Sequence, residues 1–275
     1  MELKSALRDK LSEDDILHVG RAFELVGTIA IVEFGEIAVE KKKVVANVLL
    51  NLHKNIETVV EKTEDISGEY RVASFHVLAG SNTTETIHKE NGCSFRVDIT
   101  KAYFSSRLGS ERLRVARQVR PLEKVLCLFA GVGPFAINIA RQEKTATVLG
   151  VEINPDAVSY FEENLAINRV GDRVSILGGD VATVVPSIAE VFDRIVLPAP
   201  KNAEDFLDLV LPKLKKGGYG HLYTFAAVEE LGTVGGRIKD KAKELGCDID
   251  VLLTRKCGNV GAYHYRVVVD FLKRN

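Results

Sequence analysis

Four cysteines in 275 residues, spaced 34, 120 and 10 positions apart with no C-x-x-C pair, give neither a disulfide frame nor a zinc site. Cys93, Cys127, Cys247 and Cys257 therefore read as reduced thiols of a cytosolic protein. Long apolar runs are also missing. The longest uncharged stretch, Val125 to Ala140, is 16 residues broken by Gly131, Gly133 and Pro134, whereas a membrane span needs about 20 apolar residues. It reads as a strand, a turn and a helix start. Met1-Glu-Leu-Lys carries no apolar signal core. Tryptophan is absent and Met1 is the only methionine, which excludes nothing. With 46% apolar and 27% charged residues, the chain can bury a real core, and a mainly disordered state is excluded. The length suits one large domain plus one small one.

A net charge of −1 conceals an uneven distribution. Residues 1–100 hold 12 basic and 17 acidic side chains, whereas residues 101–120 hold 6 basic and 1 acidic. The basic segment is rich in arginine (Arg107, Arg112, Arg114, Arg117, Arg120), whose planar fork suits phosphate and guanine. A solvated helix face is the plainer reading of such a run. Glu111 is the lone acid within it.

Phe23 to Phe34 is apolar and β-branched, as a buried strand requires, and Glu36 to His53 has helical spacing. Candidate strands follow near 56–62, 70–79 and 93–99. Residues 1–100 thus predict a small α+β domain with antiparallel pairing. From 101 to 275 the pattern alternates: helix 109–119, strand 125–129, a helix to about Arg141, strand 147–152, helix 155–168 and strand 173–177. Strand 193–198, helix 202–214, a Lys215-Lys-Gly-Gly turn, strand 219–225, helix 234–245 and strand 263–272 complete it. Such alternation predicts a parallel, doubly wound α/β sheet. The direction of the final strand is left open.

The segment Val125-Leu-Cys-Leu-Phe129-Ala-Gly131-Val-Gly133-Pro-Phe-Ala136 has the G-x-G-x-x-A form that follows a strand in dinucleotide enzymes and methyltransferases alike. Glu152, 19 residues past Gly133, closes the next strand and suits two ribose hydroxyls. Gly179-Asp180 ends the third, where an adenine amino group would lie. These successive strand ends point to an adenosine ligand. Pro134 removes an amide that a pyrophosphate would use, although proline is also routine at a first helical turn. Asp193-Arg-Ile-Val-Leu-Pro198-Ala-Pro200 resembles the proline-rich substrate loop of methyltransferases acting on base nitrogens. S-adenosylmethionine is accordingly favoured over NAD.

In order along the chain stand T-E-T-I-H-K-E-N-G (84–92), Y-F-S-S-R-L-G-S-E-R (103–112), F-A-G-V-G-P-F (129–135), E-I-N-P (152–155), G-D-V (179–181) and L-Y-T-F (222–225). This ordered set covers about half of the chain. It resembles the archaeal and eukaryotic tRNA (guanine-37) N1-methyltransferase family and its relative, the aminocarboxypropyltransferase of wybutosine synthesis. The resemblance implies a Rossmann-type class I methyltransferase sheet behind a smaller N-terminal α+β domain. It also implies a cytoplasmic enzyme, expected to be a monomer, using S-adenosylmethionine on tRNA, with no metal and no membrane partner. Long family members carry a further N-terminal domain. This chain begins too late to hold all of it, which implies a different grip on tRNA.

Carried over by residue, the resemblance makes Glu111 the general base and puts Arg71 near guanine O6. Tyr103, Arg107 and Arg112 fall around cofactor and target base. Phe129, Gly131, Gly133, Glu152, Ile153, Asp180, Val181 and Pro198 join Tyr103 and Arg112 at the cofactor. Two departures stand out: Cys127 replaces an aspartate of many members, and Pro198-Ala-Pro200 replaces an Asn-Leu-Pro of some, leaving the Pro198 carbonyl for that loop's role.

The chemistry fits. N1 of guanine carries a proton, so methylation needs a base there and a donor for the charge that moves to O6. Flanking arginines lower the basicity of Glu111, and burial raises it. The structural alternative for Glu111 is a first-turn helix acid with Ser106 or Ser110 as cap. Arg71 has its own in a pair with Glu69 or Glu85. His76, His88, His221 and His264 have no ligand spacing and read as structural. Two further readings remain: aminocarboxypropyl transfer from the same cofactor, and a non-catalytic RNA- or nucleotide-binding relative. A dehydrogenase stands last.

Overall fold

The computed structural model describes residues 3–20, 22–63, 68, 70, 72–198, 203–261 and 263–275. Arg71, Glu69, Pro200 and the expected helix start at 202 lie outside them. The chain divides into two compact units, Met1–Glu90 with Ser94–Ser106 and Asn91–Cys93 with Arg107–Asn275.

The first unit opens with two short helices, α1 (Leu3–Leu7) and α2 (Glu13–Leu17). Strands β1 (Glu24–Val26) and β2 (Ile29–Val32) follow, then α3 (Val39–Leu52), β3 (Thr58–Lys62) and β4 (Phe75–Gly80). They form a sheet in the order β1-β2-β3-β4. Val45, Ala46, Val48 and Leu49 of α3 share one core with Ala30, Val32 and Val59 of the sheet. The apolar stretch 23–34 is therefore a hairpin and not the single strand its composition predicts. Gly27, at φ +55°, makes the turn, and a Cβ there would stand 2.2 Å from Thr86 Oγ1. Pairing is also not wholly antiparallel, because β2 runs parallel to β3. The helix between them supplies the crossover that parallel strands need.

Two strands that complete this part, β5 (Glu85–Glu90) and β6 (Cys93–Asp98), form a separate two-stranded sheet. Only β6 is legible in advance. Asn91 and Gly92 join them, both with positive φ, as a tight hairpin requires.

In the second unit α4 (Gly109–Ala116), β7 (Lys124–Leu128), α5 (Pro134–Gln142), β8 (Thr147–Glu152), α6 (Pro155–Asn168) and β9 (Val174–Gly178) follow in the expected alternation. Then come α7 (Val181–Ser187), β10 (Phe192–Leu197), α8 (Leu207–Val210), β11 (Leu214–Ala227), α9 (Val234–Glu244), β12 (Ile249–Gly261) and β13 (His264–Lys273). The sheet order is β12-β13-β11-β10-β7-β8-β9. Strands β11, β10, β7, β8 and β9 are mutually parallel, and β13 is antiparallel to both β11 and β12. The parallel expectation thus holds for five strands; the final strand, β13, whose direction the sequence leaves open, is antiparallel, and β12 is an additional strand at the edge.

Local chemistry explains the boundaries. Asn154 caps α6 by accepting from the amides of Asp156 and Ala157 at 3.0 and 3.4 Å, with Pro155 in the first turn. The helix expected over 202–214 is only α8 between single 3-10 turns. Pro212 removes an amide within that stretch. Lys215 to Gly218 belongs to β11, with Gly217 at φ +76°, and is not a turn before the strand.

Leu126, Leu128, Ile195, Leu197, Leu222, Val267 and Phe271 belong to the main buried cluster of this unit. The order in which successive strands are laid down reverses between the parallel neighbours β7 and β10. In open α/β sheets that switch point is where ligands bind, at the carboxyl ends of the strands.

Candidate active site

Beyond β7 the backbone makes a run of unusual turns. Phe129, Gly131 and Gly133 have φ of +49°, +55° and +89°. A Cβ on Gly133 would lie 2.3 Å from Cδ2 of Phe161, so the ring of α6 and the left-handed backbone both demand glycine. The Gly131 amide donates to Glu152 Oε2 at 2.8 Å, and the Asn154 amide to Oε1 at 2.9 Å. Glu152 thereby ties the glycine turn to the end of β8. Burial pushes its carboxyl above the ordinary range, against the opposing bonds from Asn154, Gly131 and Ile153 amides. A carboxylate has about four lone-pair sites, so acceptor capacity remains for ribose hydroxyls. The Gly179 amide bonds the Glu152 carbonyl at 2.8 Å, which brings the end of β9 alongside. Exposed Asp180 caps α7 through the Ala182 amide at 3.0 Å, followed by buried Val181.

Thus Gly131, Gly133, Glu152, Ile153, Asp180 and Val181 gather at the carboxyl ends of β7, β8 and β9. Phe129 sits in the same turn, edge-on to Phe206 at 5.0 Å. Pro198 follows β10 directly. Arg107 is exposed in a 3-10 turn before α4, while Arg112 is buried on that helix. Tyr103 is exposed in the first unit. Asn91, from the E-N-G motif, donates to the Gly109 carbonyl at 2.9 Å and to Asn138 Oδ1 at 3.0 Å, linking the start of α4 to α5. Glu85 pairs with Arg96 on β6 at 2.6 Å.

Glu111 is 2% exposed in the first turn of α4. Neither Ser106 nor Ser110 caps that helix, whose N-cap is Leu108 with no side-chain bond. The carboxylate is held instead by side chains from three elements. Arg114 Nε donates to Oε2 at 3.0 Å, and the Tyr223 hydroxyl of β11 donates to the same oxygen at 3.1 Å. Arg255 of β12 pairs with Oε1. Burial raises the Tyr223 phenol far above its ordinary value, which keeps it a donor.

Arg114 continues the chain: its Nη1 and Nη2 donate to Asp270 Oδ2 and Oδ1 at 2.5 and 3.2 Å. Asp270 Oδ1 lies 2.7 Å from His221 Nδ1, and His221 Nε2 lies 2.7 Å from Arg194 Nη1. Arg194 ends the series on Glu123 at 2.8 Å. Arg114 is partly buried and the rest of this line is buried, as such groups can be only when paired.

The TRM5/TYW2 methyltransferase domain matches residues 86–252, and the TYW2 N-terminal domain matches residues 3–83. The chain belongs to the TRM5/TYW2 methyltransferase family. It is 37% identical to tRNA (guanine(37)-N(1))-methyltransferase Trm5b of Pyrococcus abyssi over 91% of its length and 74% of that relative's. Among solved structures, a complex of aTrm5 with tRNALeu is 29% identical with TM-score 0.86, covering 100% of this chain and 78% of that one. Methanocaldococcus jannaschii TYW2 in complex with AdoMet is 25% identical with TM-score 0.70, covering 92% and 100%.

Within this TRM5/TYW2 chain, Cys127 lies inside β7 at 1% exposure, and burial raises its thiol far above the usual value. It is a neutral core sulfhydryl. Sequence reasoning does not reach Arg114, Tyr223 and Arg255 as partners of Glu111, or Asp270 as the partner of Arg114, and reads His221 as ordinary. The available signal was a charge inside an apolar strand: Asp270 within Val267-Val-Val-Asp-Phe271, and Arg194 within Asp193-Arg-Ile-Val-Leu197.

Proposed function

We propose that this chain transfers the methyl group of S-adenosylmethionine to N1 of guanine 37 in tRNA, with Glu111 as general base. The observation that carries the reading is the buried Glu111 carboxylate, fixed by Arg114, Tyr223 and Arg255 beside Arg112. The names of the P. abyssi relative and of the aTrm5–tRNALeu complex support the substrate. Bound AdoMet in the M. jannaschii TYW2 structure supports the cofactor.

The residues present fit that cofactor. Glu152 would take its ribose, the turn over Phe129, Gly131 and Gly133 would admit its close approach, and Ile153, Asp180 and Val181 would line the adenine side. When bound, S-adenosylmethionine supplies an electrophilic methyl on a sulfonium sulfur. Glu111 accepts the N1 proton of guanine, and its donors orient the carboxylate without a change of geometry during the step. Arg71 is assigned to the developing charge on O6, a contribution that such donors make most effectively out of water, and Arg107 to the surroundings of the cofactor and target base. Pro198 offers only a carbonyl to the substrate loop. The same reading assigns a cytoplasmic monomer with tRNA as partner. No helix among the described residues is long and apolar enough to cross a membrane.

The match of residues 3–83 to the TYW2 N-terminal domain favours one second reading, transfer of the aminocarboxypropyl group. Glu111→Gln tests the first. Transfer to guanine 37 is expected to fall by about 10²–10⁴-fold while cofactor affinity is retained. Unchanged transfer removes Glu111 from the mechanism.

A further inference from the structure

Glu111 presents a difficulty as a base. Two guanidiniums and a phenol donate to it, and each contact with a cation stabilises the charged carboxylate and weakens its pull on a proton. The groups that contact it are Arg114 on its own helix, Tyr223 on β11 and Arg255 on β12, with Cys257 of β12 near Tyr223 and Arg114. Asp270 of β13 brings a second carboxylate to this set. It takes the Nη edge of Arg114 through both oxygens, while the Nε edge of the same guanidinium meets Glu111.

We propose that Asp270 is a positioning residue for Glu111, dividing the charge of Arg114 between two carboxylates and locking that guanidinium so that only its Nε edge faces the base. This rests on Glu111 being the base. Glu111 and Asp270 balance Arg114 and Arg255, so the cluster is neutral with Tyr223 and His221 uncharged. Without the charge of Asp270, two guanidiniums face one carboxylate, and Glu111 is held as a weak base.

His221 fixes Asp270 in turn. A guanidinium only donates, so Arg194 makes His221 Nε2 an acceptor and leaves the ring proton on Nδ1, donating to Asp270. Burial, with Arg194 and Arg114 nearby, holds the imidazole below its ordinary pKa despite Asp270. Asp270 is therefore oriented by a neutral donor on one side and a cation on the other.

The test is single-turnover methyl transfer to tRNA bearing guanine 37, followed against pH in the full chain. Asp270→Asn keeps the shape and removes the charge. Its acid limb is expected to move down by about one pH unit, with the plateau rate lowered about three- to tenfold. Arg114→Gln removes the cation and is expected to move the limb up by about one unit. Opposite shifts are not a consequence of general loosening, which moves no pKa in a defined direction. If Asp270→Asn does not fold, Arg114→Gln alone decides: an upward shift supports the proposal and an unmoved limb overturns it. Wild-type limbs in both folded variants likewise overturn it. Glu111→Gln is measured beside them. Retained transfer in that variant refutes the base itself, whereas its loss together with unmoved limbs refutes only the role of Asp270.

Discussion

Arg194 donates to His221 Nε2 across 2.7 Å, with both side chains 1% exposed. A protonated imidazole would place a second N–H against that guanidinium. The folded state therefore keeps His221 neutral, in line with the downward pull of burial on its pKa.

One consequence is a pH-dependent stability. Below the ordinary imidazole pKa of about 6.5 the unfolded chain binds a proton that the folded chain refuses. Unfolding free energy should fall with decreasing pH from there, by up to about 1.4 kcal/mol per unit from this group. His221→Gln, which can accept from Arg194 and donate to Asp270, should flatten that slope between pH 5 and 6.5. Chemical denaturation at several pH values measures it. A parallel slope in the variant assigns the pH dependence to other groups.

Asp270 acts at lower pH. Burial opposes its charge, but the bonds from His221 and Arg114 outweigh it and hold the carboxyl far below the usual range. Its stabilising contribution is present above the unfolded pKa of about 3.9 and is lost as pH falls toward the folded value. Asp270→Asn should therefore lower stability at pH 7 and narrow the difference from wild type near pH 3, read by thermal unfolding.

Gly133→Ala should cost about 2–4 kcal/mol. It puts a Cβ at φ +89° and drives it into the Phe161 ring. A lower thermal midpoint with loss of cofactor binding is the expected pair of results. An unchanged midpoint would mean that the turn and α6 adjust without strain.

Glu152→Gln tests the ribose assignment. An amide accepts through one oxygen only, so one of the Gly131 and Asn154 amides would face an NH2 group. That mismatch costs about 1–3 kcal/mol, and cofactor dissociation constants should rise about tenfold or more. Calorimetric titration with S-adenosylmethionine reads it. Wild-type affinity would move the ribose elsewhere.

The parallel core of the sheet was legible because β7, β8 and β10 are short apolar runs bounded by turn residues. The glycine turn and Glu152 were legible because their spacing along the chain is local. β12 was not: after Ile249, Val251 and Leu253 it continues as Arg255-Lys-Cys-Gly-Asn, polar residues tolerated because the strand is the edge of the sheet. β5 was hidden in the same way, with Ile87 exposed and Thr86 buried. The partners of Glu111 are 112 and 144 residues away at Tyr223 and Arg255. Pairings of that range depend on strand order, which no local pattern carries.

The most direct test of the account is transfer from S-adenosylmethionine labelled separately in its methyl and aminocarboxypropyl groups. The acceptors are unmodified tRNA with guanine at position 37 and the same tRNA with adenine there. Methyl label on the guanine tRNA alone, located at N1, is the predicted result. Aminocarboxypropyl label, or methyl label on the adenine tRNA, would contradict it.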